Sequence, residues 1–369
     1  PPGTAFLATP FFLIGKIIRD SEVGAYISPT RNIVEVYVLF LPNIAGTLTF
    51  LLLFLILRRF GFDFKTGLTA SLIYAFATMT WFNATRLHSH AVSTAAVLAA
   101  VYLAVSTDKP TTRRLIWLAT ALAVAAIVET QNILFAPIIA GYMIWSGKVR
   151  TPDPSDKKTY LPIAKAALVF LAIYSTLIAY NWVAFGELTI KSNKYNPGFP
   201  MEKTFTEALS GDPLAGLDKL LVNTGNLAAV FDWSKGEKNE IPGIFVTTPL
   251  FILSILGFRE FYRRQRKEAV MFMLIISTEL LVVAAHRPTI LTRHISTVNP
   301  MMFLPAVYVI DSALKKATAK KSYWPAAAVA ALTVLSLARV YYINNTYWSR
   351  ELSYPFLFLD ELPSYVIMY

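Results

Sequence analysis

Long runs of apolar residues, separated by short polar segments, dominate the pattern along the chain. A membrane-spanning helix needs ~20 predominantly apolar residues, because the hydrocarbon core of a bilayer is ~30 Å thick. Runs that approach or exceed this length occur at 33–57, 67–83, 89–106, 114–129, 131–147, 161–185, 241–258, 269–286, 294–314 and 322–343. The pattern therefore predicts about ten transmembrane helices. The short runs at 114–129 and 131–147 form either two thin spans or a re-entrant pair.

Lysine and arginine are concentrated in every second gap between these runs. The basic residues of these gaps are Arg58, Arg59, Lys65, Lys109, Arg113, Arg114, Lys148, Arg150, Lys157, Lys158, Arg259, Arg263, Arg264, Arg266, Lys267, Lys315, Lys316, Lys320 and Lys321. Short loops with an excess of lysine and arginine face the cytoplasm. The alternate gaps are therefore predicted to face outward: 84–88, 129–132, 186–240, 287–293 and the tail after Asn344.

The apolar segment 4–18 precedes the first long run and has two placements open to it. It either crosses the membrane from the cytoplasm or lies in the outer interface without crossing. The segment is short and is closed by Lys16, Arg19 and Asp20. These features favour an interfacial helix.

The stretch 186–240 is the one large extramembrane piece that the pattern predicts. Turn signals at 196–198 and 211–213 bound a short predicted helix at 201–210, and a second helix is predicted within 214–231. Loops of this length are usually functional. The expected fold is all-α, a single polytopic domain over 1–369 with these parts: an interfacial segment at 1–32, six spans within 33–185, an extracytoplasmic loop at 186–240, four spans within 241–343 and an extracytoplasmic tail at 344–369.

Composition agrees with this pattern and narrows the class of protein. The chain of 369 residues is 55% hydrophobic and 15% charged, whereas roughly a quarter of a soluble domain is charged. A net charge of +11 could indicate nucleic-acid binding, but the positive residues lie in the short gaps and fit membrane orientation instead. The chain has no cysteine, which excludes disulfides and thiolate metal sites.

Several short motifs occur in an order that resembles a known family. Pro1-Pro2-Gly3 precedes the run to Ile18, and a later helix ends in Arg58-Arg59-Phe60-Gly61. The segment 240–249, with Pro242-Gly243-Ile244-Phe245 and Pro249, leads into another helix, and Arg293-His294 precedes Pro300. In this order the chain resembles the membrane glycosyltransferases of the GT-C fold, in particular the relatives of protein O-mannosyltransferases and aminoarabinose transferases.

The resemblance implies a transferase that takes a sugar from a polyprenyl-phosphate-linked donor on the outer face. The acceptor is left open between protein, lipid and glycan. The family's catalytic acidic residue lies in the first outer loop, so the resemblance places it upstream of Pro1, together with one preceding helix. Ser89-His90 stands where many relatives carry an acidic residue, which is a departure from the family pattern.

Cations in the outer gaps are the candidate substrate ligands, because a lipid phosphate is a good leaving group that needs cations to hold it. Arg287 and Arg293 flank the gap 287–293, beside His286 and His294. Arginine suits phosphate because its planar fork makes bidentate hydrogen bonds. The alternative is that both arginines extend to lipid headgroups.

A second group, Arg86, His88 and His90, lies at the outer mouth of the second and third helices. We interpret these residues as substrate ligands as well. A His-x-His pair can also ligate a divalent metal, but the sequence shows no third ligand, and solvated or hydrogen-bonded histidines are common at such positions. No metal is assigned, although one remains possible.

Carboxylates and amides in or beside the apolar runs need a partner or a function, because an unpaired charge in lipid is costly. For Glu279 we favour an internal pair with an Asn or Arg of a neighbouring helix over catalysis. Glu35 is close enough to the outer end of its helix to sit among headgroups. The turn Glu129-Thr130-Gln131-Asn132 either lines a cavity or caps helix ends, and we favour the cap.

Two other classes of protein compete with the enzyme. A transporter or lipid flippase should show paired halves with Gly- or Pro-broken helices at matching positions. The chain shows no such symmetry, although Pro42 and Pro137 within apolar runs keep this alternative open. A non-catalytic membrane scaffold is the third class, and the arginine pair in an outer gap argues against it.

Overall fold

The structure is a computed structural model that describes residues 2–21, 33–149, 157–189, 213–221, 243–286, 292–320 and 322–347. All regular structure in these ranges is helical. The helices of the first part are α1 (Gly3–Arg19), α2 (Ile33–Val38), α3 (Phe40–Arg59), α4 (Phe64–Ala77), α5 (Thr80–Ala84), α6 (Ser89–Val105), α7 (Thr112–Val128), α8 (Phe135–Trp145) and α9 (Lys157–Phe185). The later helices are α10 (Pro213–Leu221), α11 (Ile244–Thr247), α12 (Ile252–Arg264), α13 (Arg266–His286), α14 (Asn299–Thr318) and α15 (Trp324–Tyr347).

Within the described ranges, three short 3-10 helices connect these elements: Thr130–Leu134, Pro249–Phe251 and Thr292–Val298. Two of them adjoin a proline at the start of a helical turn, Pro249 and Pro300. Proline has no amide hydrogen to donate, so it is accommodated where a helix begins. For this reason the apolar runs predicted at 241–258 and 294–314 enter their long helices through a short turn.

The predicted polytopic helical membrane protein is confirmed. Four stretches among the described residues are long and apolar enough to cross a bilayer: Val36–Arg59, Tyr160–Phe185, Ile295–Thr318 and Trp324–Tyr342. The other predicted runs are helical as well. Most are shorter or interrupted, as where Thr78 separates α4 from α5, whereas the run at 269–286 forms the 21-residue helix α13. The number of ten spans stays a prediction.

The basic residues of α3, α7 and the segment after α8 meet at one end of the helix bundle. Arg59 contacts Asp108 through a 2.9 Å ion pair, and Lys148 donates hydrogen bonds of 2.9 and 3.0 Å to the carbonyl oxygens of Ala104 and Val105. These carbonyls close the last turn of α6, where a cation is favourable. We call this end of the bundle the basic end.

The later helices bring their charged residues to the same end. Tyr142 Oη in α8 donates to Glu268 at 2.7 Å, and the Arg264 guanidinium lies 5.7 Å from the ring centroid of Tyr308. Asp311 in α14 pairs with Lys315 at 2.7 Å and accepts from Thr66 in α4 at 3.0 Å. The described segments that were predicted to share the cytoplasmic side therefore lie together, and the outward gaps 84–88 and 129–132 lie at the opposite end.

Helix α1 lies near that opposite end. Gly3 packs so closely against the last turn of α7 that a Cβ would lie 2.5 Å from the carbonyl oxygen of Ile127. Gly15 is packed in the same way against the backbone of Val34, at the start of α2. Both contacts are at helix ends remote from the basic end. They support the interfacial placement of α1, which stays a prediction.

The structure describes residues 186–189 and 213–221 of the long predicted loop. Helix α10 (Pro213–Leu221) overlaps the predicted helix at 214–231, while the predicted helix at 201–210 lies outside the described residues. Leu220 of α10 is fully buried in the main hydrophobic core. This segment therefore packs on the bundle.

Candidate functional site

Three chain segments meet at the end of the bundle opposite the basic end, each at the point where a helix begins or ends. They are the first turns of α6, the turn after α7 with the 3-10 helix Thr130–Leu134, and the 3-10 helix Thr292–Val298. Their polar residues, which we call the polar cluster, are half-buried Ser89 and buried His90, Ser93, Glu129, Asn132 and Thr297.

Glu129 is the centre of the polar cluster and is 4% exposed. Its Oε1 accepts from Ser89 Oγ at 2.9 Å and lies 2.6 Å from His90 Nδ1. Its Oε2 accepts from Ser93 Oγ at 2.9 Å and from Thr297 Oγ1 at 3.1 Å. Both oxygens of this carboxylate are thus held by groups from two other chain segments.

The electrostatic setting keeps Glu129 ionised. It lies in the turn outside the helices, and the pKa of its carboxyl is lowered to about 2. Burial raises this pKa, but the charge and hydrogen bond of His90 and the hydroxyls of Ser89 and Ser93 lower it by more. Ionised Glu129 is a hydrogen-bond acceptor with no proton to donate.

Asn132 joins the turn to α6 and α7. Its Nδ2 donates to Ser93 Oγ at 2.7 Å and to the carbonyl oxygen of Ala125 at 3.0 Å. The prediction that this turn caps helix ends is right for Asn132, which binds a carbonyl in the last turn of α7. It is wrong for Glu129, whose side chain makes no cap hydrogen bond, because three hydroxyls donate to the carboxylate and His90 contacts it instead.

Two further buried contacts lie beside the polar cluster. Gln131 Nε2 donates to Glu279 Oε1 at 3.1 Å, so Glu279 takes part in an internal pair as predicted, with a glutamine amide in place of an Asn or Arg. Asn83 Nδ2 donates to Ser296 Oγ at 2.8 Å. The 3-10 helix Thr292–Val298 is thereby attached to α5 as well as to Glu129.

The predicted group Arg86, His88 and His90 lies at this end of the bundle. The Arg86 guanidinium is buried over the Phe82 ring, with Cζ 3.9 Å from the ring centroid. The rings of His88 and His90 are 6.2 Å apart between centroids, and His88 precedes the first turn of α6 in an extended conformation. The structure therefore places His90 against Glu129 and His88 near His90, with Arg86 packed on α5 just before them.

Only part of the second predicted group, Arg287, Arg293 and His294, lies among the described residues. The backbone of Arg293 and His294 lies in the 3-10 helix Thr292–Val298, which also carries Thr297 of the polar cluster. Their side chains, and Arg287 as a whole, lie outside the described residues. The roles predicted for Arg287, Arg293 and His294 stay predictions.

A metal site is not formed by the described part of the chain, in which no three His, Asp or Glu side chains are grouped as ligands. The arrangement that is present has a different chemical character. The His90 imidazole contacts a carboxylate whose oxygens are already occupied, the His88 ring lies near His90, and the Arg86 guanidinium belongs to the preceding segment. Such a set suits an anionic ligand.

Sequence reasoning missed Ser89, Ser93 and Thr297 as members of the site. Ser89 and Ser93 are four residues apart, so they lie on the same face of α6, and this spacing was the available signal. Thr297 carried no such signal, because its contact with Glu129 joins positions separated by 168 residues.

The fold and the site define an integral membrane protein built of helices, with a buried polar site at the end opposite its basic residues. Residues 29–180 match the model of the family described as dolichyl-phosphate-mannose-protein mannosyltransferase. This match supports assignment to a GT-C-like family of membrane glycosyltransferases, as the sequence resemblance predicted. No curated protein and no solved structure shows a significant match to the chain. The matched range contains Arg86, His88, His90 and Glu129.

Proposed function

We propose that the chain transfers a sugar from a polyprenyl-phosphate-linked donor to an acceptor on the extracytoplasmic face. The match of residues 29–180 to a dolichyl-phosphate-mannose-protein mannosyltransferase family carries this proposal. The family description makes dolichyl-phosphate mannose the first donor to test and a protein hydroxyl the first acceptor.

The chemistry of the polar end supports this donor class. In the transfer, the acceptor oxygen attacks C1 of the sugar, the bond from C1 to the phosphate oxygen breaks, and its electron pair leaves with the phosphate. Negative charge grows on that phosphate in the transition state, so cations near it accelerate the step. Arg86, His88 and His90 supply such groups, and Arg287 and Arg293 are proposed to join them.

The acceptor must also lose its proton, which in such a reaction passes to a carboxylate acting as base. Glu129 does not fit this role, because four groups already donate to or contact its oxygens. The base is therefore proposed to be a different acidic residue.

The face of the membrane follows from charge. The lysines and arginines of the basic gaps lie together at the basic end, and the positive-inside rule assigns that end to the cytoplasm. We propose on this ground that the polar cluster faces the extracytoplasmic side.

The test is sugar transfer by the full chain reconstituted in proteoliposomes, with radiolabelled dolichyl-phosphate mannose and a serine- and threonine-containing peptide. The unaltered protein should label the peptide. The double substitution Arg287→Ala and Arg293→Ala should abolish the transfer, because the donor phosphate loses its bidentate ligands.

The matched control carries Arg259→Ala and Arg263→Ala, which remove two arginines near the basic end and should leave the transfer unchanged. Undiminished transfer by the Arg287 and Arg293 variant would remove these arginines from the site. Absence of transfer with every polyprenyl-phosphate sugar would overturn the proposed function itself.

A further inference from the structure

The contact between Glu129 and His90 is the closest approach in the polar cluster, with 2.6 Å between Oε1 and Nδ1. Both side chains are largely enclosed, with side-chain exposures of 4% for Glu129 and 10% for His90. A carboxylate of such low exposure would be costly without donors, and it has them on both oxygens. The pair is therefore a fixed feature of the bundle.

The Glu129 carboxylate, held in this way, fixes the orientation of the His90 imidazole. Nδ1 lies 2.6 Å from Glu129 Oε1, and this contact fixes the plane of the ring. Carboxylates orient the histidines of metal sites in the same manner. In the protonated ring both nitrogens carry a hydrogen, so His90 can also donate from Nε2–H to an anionic ligand.

The neighbours of His90 indicate the charge of that ligand. The His88 ring is 6.2 Å away between centroids, and buried Arg86 lies within the same outer segment. The hydroxyls of Ser89, Ser93 and Thr297 stabilise the charge of Glu129, and Arg86 adds a positive charge to this segment, so we expect the region to favour an anion. The His90 side chain is 10% exposed.

We propose that Glu129 is a positioning residue that holds His90 through Nδ1 so that Nε2 binds the phosphate of the polyprenyl-phosphate donor. This proposal rests on the proposed function for its ligand. It assigns His90 to the leaving group and gives Glu129 no contact with substrate. Ser89, Ser93 and Thr297 act one step further away by fixing the carboxylate.

The test measures binding of polyprenyl phosphate without sugar to the full chain in detergent, with polyprenol as the ligand that lacks the phosphate. His90→Asn keeps a donor for Glu129 but lacks Nε2, and Glu129→Gln keeps the side-chain size but lacks the charge. Each change should weaken binding of the phosphate roughly ten-fold or more, which is the usual effect of losing a hydrogen bond to a charged group. Binding of polyprenol should not change.

The double variant separates positioning from an independent contribution. If Glu129 acts through His90, the variant with both changes should bind polyprenyl phosphate no more weakly than His90→Asn alone. Additive losses would overturn the proposal. The matched control is Glu268→Gln, which removes a hydrogen-bonded carboxylate at the basic end and should leave binding unchanged.

Folding is followed for every variant by the midpoint of thermal unfolding. If Glu129→Gln does not fold, Glu129→Asp replaces it, since it keeps the charge and moves the carboxylate away from Nδ1. Unchanged phosphate binding by His90→Asn or by Glu129→Asp would overturn the inference while leaving the proposed function standing. No binding of polyprenyl phosphate by the unaltered protein would count against the proposed function and the inference together.

Discussion

Asn132 is fully buried, and its amide group joins the turn after α7 to α6. Ser93 Oγ and the Ala125 carbonyl both accept from its Nδ2, so the position needs a donor. Ser93 in turn donates to Glu129, which places this amide one hydrogen bond away from an ionised carboxylate. The residue at 132 therefore has to be polar and uncharged.

Replacing this donor with an acceptor tests the requirement. Asn132→Asp should lower the free energy of unfolding by at least about 2 kcal/mol, because its carboxylate would face two acceptors without a proton to share. Asn132→Ala, which loses the hydrogen bonds without adding a charge, is the control and should cost less. Thermal unfolding midpoints in detergent give the order, and equal midpoints for the two variants would contradict the argument.

At this scale the sequence identified the group Arg86, His88 and His90 but not what holds His90. The histidines stood out because they follow an apolar run. Glu129 stood in a polar turn that could equally have capped helices, and its actual partners come from two distant segments. A contact between positions far apart in the chain leaves no local pattern, so it had to come from the structure.

Helices α12 and α14 approach each other closely at Gly257. A Cβ at Gly257 would lie 1.9 Å from the carbonyl oxygen of Pro305, so the two helices touch where only a hydrogen atom fits. Small residues at such positions let helices approach closely in membranes. This contact holds α12, with its arginines near the basic end, against the helix that follows the 3-10 segment of the site.

Adding one methyl group at this contact should separate the helices. Gly257→Ala should lower the free energy of unfolding by about 2 kcal/mol, the usual range for overpacking. Gly141→Ala in α8 is the matched control, since a Cβ there meets nothing within 4 Å and alanine favours the helix. The measurement is thermal unfolding in detergent, and equal stability of the two variants would show that α12 can shift without cost.

At the level of elements, the predicted apolar runs agree well with the helices, because hydrophobic length is a direct signal of a span. The run at 114–129, for example, corresponds to α7, Thr112–Val128. Interruptions were harder to predict. The break at Thr78 between α4 and α5 contains neither glycine nor proline, and Thr78 instead donates to the Tyr74 carbonyl within the buried bundle.

For the whole molecule, the separation of charge between the two ends of the bundle was predictable from the sequence. It depends on which gaps contain lysine and arginine, and the structure groups those gaps at the basic end. The convergence of the alternate gaps on one polar cluster was not predictable, since it depends on how the helices pack. Orientation in the membrane stays a prediction that rests on the rule for positive charge.

Single-cysteine labelling can establish that orientation, because the chain has no cysteine of its own. Arg58→Cys and Arg293→Cys should be labelled by a membrane-impermeant reagent from opposite sides, with Arg293→Cys on the outside. Lys16→Cys in α1 should be labelled together with Arg293→Cys if α1 lies in the outer interface. Labelling of Arg58→Cys and Arg293→Cys from the same side would remove the proposed location of the site.

The hydrogen bond from Thr297 to Glu129 has a consequence for how the protein is made. Ribosomes deliver helices to the membrane in chain order, so α6 and α7 arrive with Ser89, His90 and Ser93 already able to meet the carboxylate. The fourth partner follows 168 residues later. Closure of this buried site is therefore among the late steps of biogenesis, and a nascent chain stopped before it would carry an incompletely satisfied carboxylate that quality control could detect.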